Sequence, residues 1–288
     1  MNMNDNRYVR DLIARIGELP PMPFVAERAL ALIRDPDSNM GDLAAVLALD
    51  QAMATLVLRW ANSAYYGLRN PVSTVQQAVV YLGMRTLHNL VLAASVAVWF
   101  DRPVPGYALE RGSLWRHALG TAAGARLVAA PFGHAIAEEA YHAGLLCDIG
   151  KLAFEVLLRN IDASTPQWQR KSFTELEKEH FGIDHASLGG EMARLWNLPM
   201  ALIDAIAHHH EPEKAKEGHL LAAAVHIADA AMMMCGIGIG KDGLQYTLSP
   251  TACEITQWNE DKFSDLIAQV IPFINEADQI IRMRRFRQ

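Results

Sequence analysis

The sequence predicts an all-α fold made of two packed helical subdomains. Alternating strand patterns are nearly absent, whereas apolar residues recur at spacings of three and four along most of the chain. In the stretch 39–61 this spacing runs through Leu43, Val46, Leu47, Met53, Leu56, Val57 and Trp60. Proline and glycine separate the periodic stretches, which is where helices are expected to end.

The first half of the chain contains three predicted helical stretches. The first covers about 22–34, and the second covers 39–61. The third starts within "PVSTVQQAVVYLG", where Ser73 at the cap and Gln76 three residues later form a capping-box pattern. We assign these elements to an amino-terminal helical subdomain at 16–105.

The second half is predicted to hold most of the helices. It follows "DRPVPGYALERG" (101–112), whose two prolines and two glycines mark the best candidate boundary. We assign 106–235 to a second helical subdomain and 236–288 to a carboxy-terminal loop and helical extension. The predicted helices cover about 113–130, 136–146, 151–159, 172–180, 186–195, 200–208, 219–234 and 261–283.

Composition and charge indicate a globular protein and narrow its partners. The 288 residues are 51% hydrophobic with a net charge of −6, which argues against a chain-wide nucleic-acid surface. Nucleic-acid contact is expected only through the arginine-rich end, 282–288, where helix-end charge is the simpler explanation. The amino end lacks a signal-peptide segment, and the longest apolar stretch, 90–100, is about half of a membrane span. We therefore expect a cytoplasmic protein with no membrane partner.

Histidines concentrate in the second half, where ten of the eleven follow the candidate boundary. Imidazole and carboxylate together suit Fe, Mn, Zn or Ni, and helical bundles build metal sites from side chains distant in sequence. Each histidine alone is more simply explained as a surface or helix-end residue, but the ordered set favours one shared site. The candidate metal ligands are His117, Cys147, Asp148, His185, His209, His210 and Asp229.

Several stretches of the chain resemble a known family. In the second half these are "LWRHALGTAAG", "GLLCDIGK", "FGIDHASLGGEMARLWNLP", "AIAHHHEP" and "VHIADA". They resemble the HD superfamily of metal-dependent phosphohydrolases, and more closely its HD-related output domain (HDOD) branch. First-half stretches such as "LALDQAMATLVLRWANSAYYG" resemble that branch as well, so the resemblance covers about 16–232.

The resemblance implies an all-helical bacterial signal-transduction module whose second subdomain is an HD-like bundle. Such a module generally lacks hydrolase activity and regulates by binding, here a signalling protein partner or a nucleotide. Every ligand position of an active HD enzyme is kept, except that Cys147 replaces the histidine of the His-Asp pair. A thiolate would bias the site toward Zn and away from Fe or Mn.

Lys151 stands where related phosphodiesterases place a lysine near the scissile phosphate, so the resemblance makes it the candidate catalytic residue. The Gly-Tyr-Pro motif that follows the paired histidines of cyclic-dinucleotide-cleaving relatives does not occur in "HHHEPEKAKEGHL". Its absence argues against that substrate. A divalent Zn, Fe or Mn ion is the only cofactor that the resemblance implies.

The role of Cys147 stays open at this point. It could be a nucleophile, which would need a base and a lowered pKa; it could be a ligand in a working metal site; or it could be a small buried residue in a degenerate site. We favour the last, and with it a non-catalytic regulatory module. The alternatives are a phosphohydrolase or phosphodiesterase with a Cys-Asp pair, and a nucleic-acid-associated regulator that acts through 282–288.

Overall fold

The computed structural model is helical through most of the residues that it describes. These are 24, 27–28, 31–32, 35, 37–48, 51–63, 66–158, 171–240 and 247–285. Among them there is no β-strand, and the one isolated bridge joins Val104 and Leu109. The predicted all-α class is confirmed. No helix within the described ranges is both long and apolar enough to cross a bilayer.

The first part of the chain forms three helices. These are α1 (Met40–Ala48), α2 (Gln51–Ala61) and α3 (Val75–Phe100). The predicted helix at 39–61 therefore comprises two helices. Of the predicted helix at 22–34, the residues that the structure describes are helical. Within α3, Gly83 departs from helical geometry with φ 80° and ψ 159°.

The amino end of α3 is capped one residue later than predicted. Thr74 Oγ1 accepts a hydrogen bond from the Gln77 backbone N–H (3.1 Å), and Gln77 Oε1 accepts one from the Thr74 backbone N–H (3.3 Å). The predicted pair, Ser73 and Gln76, is wrong, because α3 begins at Val75 and the cap is therefore Thr74.

Nine helices lie in the described residues after 101, and all of them except Pro250–Thr256, which was not predicted, match the predicted stretches to within about three residues, the usual uncertainty of a helix end. They are α4 (Ser113–Ala129), α5 (His134–Leu146), α6 (Ile149–Leu158), α7 (Phe173–Phe181), α8 (His185–Leu195), α9 (Met200–Ala207), α10 (His219–Met234), α11 (Pro250–Thr256) and α12 (Lys262–Arg285). The side chains of the arginine-rich end, 282–288, lie outside the described residues, so their nucleic-acid contact stays a prediction.

The chain packs as two compact units, and the subdomain boundaries assigned above stay predictions. One unit takes the described residues of 22–98 and 268–288. Its buried apolar residues include Leu43, Leu47, Val57, Trp60, Val91 and Val270. After α2, Asn62 holds the chain turn, because its side chain donates to the Val72 carbonyl (2.8 Å) and accepts from the Val72 N–H (2.7 Å).

The other unit comprises the described residues of 99–267 and contains every candidate metal ligand. In this unit α4 packs against α5 and α10, and α8 packs against α6 and α9. Small buried residues line α4, among them Ala118, Gly120, Ala122 and Ala123. Small side chains let helix backbones approach closely, and this brings polar groups from separate helices within reach of one another.

Gly150 in α6 shows how tight this packing is. A Cβ atom at that position would lie 2.0 Å from the backbone carbonyl oxygen of His185, the first residue of α8. Any larger residue would push the two helices apart. The glycine in "CDIGK" therefore sets the distance between Asp148, just before α6, and His185.

The candidate boundary 101–112 is a turn in which Val104, Gly106, Tyr107, Leu109 and Gly112 are buried. It contains a short 3₁₀ helix, Pro105–Tyr107, and the side chain of Tyr107 is fully buried. The Gly106 N–H donates to Glu155 Oε2 in α6 at 2.7 Å. This turn places the Tyr107 hydroxyl beside α7, where it takes part in the site described next.

Candidate functional site

The candidate ligands lie at or near helix ends within one unit. His117 lies in α4 and Asp229 in α10, Cys147 and Asp148 join α5 to α6, His185 begins α8, and His209 and His210 follow α9. The structure brings all seven together, and all of them except the half-buried His210 are buried. His208, the first of the three consecutive histidines, instead pairs with Asp204 in α9. We call the seven residues, with Lys151 and Glu177, the polar cluster.

His117 bridges two acceptors. Its Nδ1 is 2.9 Å from the Ile237 carbonyl oxygen, and its Nε2 is 2.7 Å from Asp229 Oδ1. Since a carbonyl and a carboxylate can only accept, each ring nitrogen carries a proton and the ring is an imidazolium. Burial alone would lower the pKa of His117, but the hydrogen bond and charge of Asp229 outweigh it and raise the pKa.

Asp148 is the central anion of the polar cluster. Lys151 Nζ lies 2.8 Å from its Oδ2, His117 Nε2 lies 3.5 Å from the same oxygen, and His185 Nε2 lies 3.4 Å from Oδ1. Burial alone would raise the pKa of Asp148, but the charge of Lys151 and the hydrogen bond from His185 hold it well below its usual range. Asp148 is therefore ionised and Lys151 is its closest cation.

Glu177 of α7 accepts hydrogen bonds from both the backbone and the ring of His185. The carboxylate faces both the His185 backbone N–H (2.7 Å) and the ring Nδ1 (2.8 Å), and Tyr107 donates its hydroxyl proton to Glu177 Oε1 at 2.5 Å. Burial alone would lower the pKa of His185, but the charge of Glu177 and the hydrogen bond to Asp148 raise it to about 9. His185 is therefore a second imidazolium.

His209 and His210 are neutral. His185 Nε2 donates to His210 Nε2 (2.9 Å), and the pKa of His210 is well below its usual value because of burial and the neighbouring histidines. His209 Nδ1 donates to the Ile206 carbonyl (2.8 Å), and burial with the charge of His185 lowers the pKa of His209 to about 4. Among the described residues, His209 Nε2 has no hydrogen-bond partner although it is fully buried. It is an open lone pair inside the polar cluster.

Cys147 is a buried thiol. Burial and the negative charges of Asp148 and Asp229 raise its pKa well above the usual value, and its S–H donates to the Gly144 carbonyl at 3.2 Å. A nucleophilic cysteine needs a lowered pKa, so this environment argues against a cysteine nucleophile.

The residues present fit a borderline metal ion in two ways. One donor atom from each of Cys147, Asp148 and His209 lie within 4.8 Å of one another, and so do donors from His185, His209 and His210. His209, whose Nε2 is unpaired, belongs to both groups. A thiolate with imidazoles is a donor set that zinc accepts readily. Binding would require Cys147 to lose its proton, which couples metal affinity to pH.

Glu177, Tyr107 and the Ile237 carbonyl were missed by the sequence analysis. Glu177 left one signal, because Phe173, Leu176 and Glu177 share the spacing of a buried helix face, where a carboxylate must find donors. The sequence gives no signal for Tyr107 or for the Ile237 carbonyl, because a tyrosine in a turn and a backbone carbonyl have no recognisable sequence pattern.

The helical fold and the buried histidine–carboxylate cluster define an HD-type helical domain. The chain belongs to the HDOD domain family, whose model matches residues 19–212. An uncharacterized protein from Treponema pallidum (strain Nichols) is 28% identical over 215 residues, which are 70% of this chain and 40% of that protein. This chain thus spans less than half the length of that relative.

Solved structures share the fold. The HDOD domain protein of unknown function from Geobacter sulfurreducens has a TM-score of 0.80 at 24% identity, covering 95% of this chain and 97% of that chain. A structure from Marinobacter aquaeolei VT8, named for a proposed role in signal transduction, has a TM-score of 0.74 at 21% identity, covering 96% of this chain and 65% of that chain. A structure from Shewanella amazonensis SB2B, named as a proposed phosphohydrolase, has a TM-score of 0.66 at 24% identity, covering 92% of this chain and 97% of that chain.

Proposed function

We propose that this chain is a regulatory HDOD module that acts by binding a signalling protein or a nucleotide and not by hydrolysis. The observation that carries the proposal is the charge balance of the polar cluster. Its cations are the imidazolium rings of His117 and His185 and the ammonium of Lys151, and they face the carboxylates of Asp148, Glu177 and Asp229. The buried carboxylates are thus neutralised by the chain itself.

This balance bears directly on hydrolysis. A metal-dependent phosphohydrolase relies on its ion to polarise phosphate and to lower the pKa of water. In this chain a metal bound through Cys147, Asp148 and His209 would have to compete with Lys151 for Asp148 and release the proton of Cys147. A metal bound through His185 would have to release the proton of that imidazolium. Each displacement weakens metal binding near neutral pH. Lys151, the candidate catalytic residue, is held on Asp148 and serves as a structural counter-cation.

The second candidate function is a metal-dependent phosphohydrolase or phosphodiesterase. The observation that favours it is the unpaired Nε2 of His209, which lies within 4.8 Å of the donor atoms of Cys147 and Asp148. These residues would hold the ion, and zinc bound there would supply a water with a pKa near 7.

Metal titration with a hydrolysis assay separates the two candidates. The full chain is titrated with Zn and Mn by calorimetry in two buffers of different ionisation enthalpy, and bis(p-nitrophenyl) phosphate is the test substrate. We expect weak Zn binding with proton release, weaker Mn binding, and no turnover. Metal-dependent turnover that is lost in Asp148→Asn would overturn the regulatory proposal in favour of the enzyme.

The variant Cys147→His restores the missing ligand. We expect it to bind both ions at least about tenfold more tightly, with an overpacking cost of about 1–3 kcal/mol because imidazole is larger than a thiol. Cys147→Ser is the matched control, since it keeps the small size and removes the sulfur ligand. If Cys147→His binds no more metal than Cys147→Ser, the internal cations and not the missing histidine limit affinity.

A further inference from the structure

A cavity of about 590 Å³ lies directly beside the polar cluster in the 99–267 unit. Asp229 and His210 belong to both. Its size falls in the range of small-molecule sites, about 300–1,000 Å³. The cavity walls are mostly apolar, formed by Ala230, Met233, Met234, Leu248, Phe263 and Ile267, and Glu260, Ser264 and Thr247 are exposed lining residues.

The polar groups of the cavity include one open acceptor, Asp229 Oδ2. Asp229 Oδ1 is taken by His117, whereas Oδ2 is 3.7 Å from His210 Nδ1, which is too long for a hydrogen bond. Among the described residues no other donor reaches Oδ2. Both ring nitrogens of His226 already have partners, because Nδ1 donates to the His209 carbonyl and Nε2 accepts from the Ser249 N–H. Asp229 Oδ2, which is not fully buried, therefore has room for a donor from a ligand.

The charges of the lining have one sign. Asp229 and Glu260 are carboxylates, and none of the described residues that line the cavity is a lysine or an arginine. A phosphate group would meet two negative charges and no fixed cation. A protonated nitrogen would meet a partly buried carboxylate, where charge-assisted hydrogen bonds are stronger than in water.

We propose that this cavity binds a small amine with an aromatic or branched apolar body. The ammonium donates to Asp229 Oδ2, and the apolar body packs on Met233, Phe263 and Ile267. Thioether and aromatic side chains suit such a ligand, since both are polarisable and an aromatic face attracts cations. The regulatory role of such an amine rests on the proposed function, because it requires a module that acts by binding and not by hydrolysis.

Two indole compounds of opposite charge test the ligand class. Tryptamine and indole-3-propionate share the ring and differ in the charge of the side chain, and AMP is the nucleotide probe. In calorimetric titrations of the full chain we expect tryptamine to bind at least about tenfold more tightly than indole-3-propionate or AMP. Equal or tighter binding of either anion, or no binding of tryptamine at millimolar concentration, would overturn the proposal.

Two variants locate the binding. Ser264→Trp, at an exposed lining position, fills the cavity and should weaken tryptamine at least about tenfold. Glu260→Gln removes the rim carboxylate and should weaken it by about two- to fivefold. Asp261→Asn is the matched control, because Asp261 is also exposed and is not a lining residue, and it should change affinity less than about twofold. Unchanged affinity in both cavity variants would show that tryptamine binds elsewhere.

The two proposals fail separately. Turnover of the phosphodiester with intact tryptamine binding to the cavity would remove the regulatory function and with it the purely binding role of the amine. Absence of both turnover and tryptamine binding would overturn only the ligand class. Binding at the cavity without turnover is the expected result.

Discussion

The polar cluster and the adjoining cavity share Asp229 but differ in how far their polar atoms are paired within the chain. In the polar cluster nearly every donor faces an acceptor of the same chain, as in the Tyr107–Glu177–His185 series. In the cavity, by contrast, an apolar wall surrounds a carboxylate oxygen that no described residue satisfies. The difference teaches that the charged groups of the polar cluster are paired with one another, whereas the adjoining cavity leaves a carboxylate oxygen open.

The largest expected effect comes from removing the central anion of the polar cluster. Asp148→Ala leaves Lys151 and His185 buried without their carboxylate, and we expect a loss of about 3–5 kcal/mol in the free energy of unfolding. Urea denaturation at pH 7 in the presence of EDTA measures it. The exposed Asp261→Asn should change stability by less than about 0.5 kcal/mol. A loss below about 1 kcal/mol in Asp148→Ala would mean that Asp148 is not the centre of the charge network.

The pH dependence of stability should show two limbs. The pKa of His209 is lowered to about 4, so between pH 6.5 and 4 the unfolded chain takes up a proton that the folded protein does not, and stability falls as the pH falls. The pKa of His185 is raised to about 9, so its contribution is complete below pH 6.5 and is lost as the pH rises to 9. Each limb is expected to reach about 3 kcal/mol.

Variants assign each limb of the pH curve. His209→Gln should flatten the acid limb, although His210, whose pKa is also lowered, keeps part of it. His185→Gln should flatten the alkaline limb, although His117, whose pKa is also raised, keeps part of it. It should also shrink the acid limb, because the charge of His185 helps to lower the pKa of His209. Denaturant unfolding from pH 4 to 9 in EDTA is the measurement. A curve that keeps both limbs in both variants would show that other groups dominate the pH response.

A smaller effect on stability is expected from the hydrogen bonds that Glu177 makes with Tyr107 and His185. Glu177→Gln replaces one acceptor oxygen by an amide nitrogen, which cannot satisfy the Tyr107 hydroxyl and the His185 donors together, and should cost about 2 kcal/mol. Tyr107→Phe removes one of those donors and should cost less alone. In the double variant the loss should be smaller than the sum of the single losses, because the two residues share a hydrogen bond. Additive losses would contradict that coupling.

The smallest effect concerns thiol reactivity. Cys147 is fully buried with a raised pKa, whereas Cys235 and Cys253 are partly exposed. We expect iodoacetamide at pH 8 to modify only Cys235 and Cys253 in the folded protein, and all three thiols in urea. Peptide mass spectrometry identifies the sites. Rapid native labelling of Cys147 would show an accessible thiol and restore the nucleophile interpretation.

Much of the fold was predictable, because helix formation is largely local. Apolar spacing with proline and glycine breaks located eight of the nine helices described after residue 101 to within about three residues, and missed the short helix Pro250–Thr256. The miss at the α3 cap shows the limit of such signals, since Ser73 and Thr74 both fit the cap and the choice depends on where the helix begins. The candidate ligands were also recognisable, since their types and order follow the resemblance to the HDOD branch.

The sequence by itself determined the helices and the set of titratable side chains available to one site. Only the tertiary structure decided what those side chains do. His117 and Asp229 are separated by 112 positions, and their hydrogen bond depends on how closely α4 approaches α10. The same holds for the placement of Lys151 on Asp148 within a buried network and for the cavity beside Asp229. Charge pairing at buried positions depends on distances of a few ångströms between separate helices, and sequence spacing does not encode those distances.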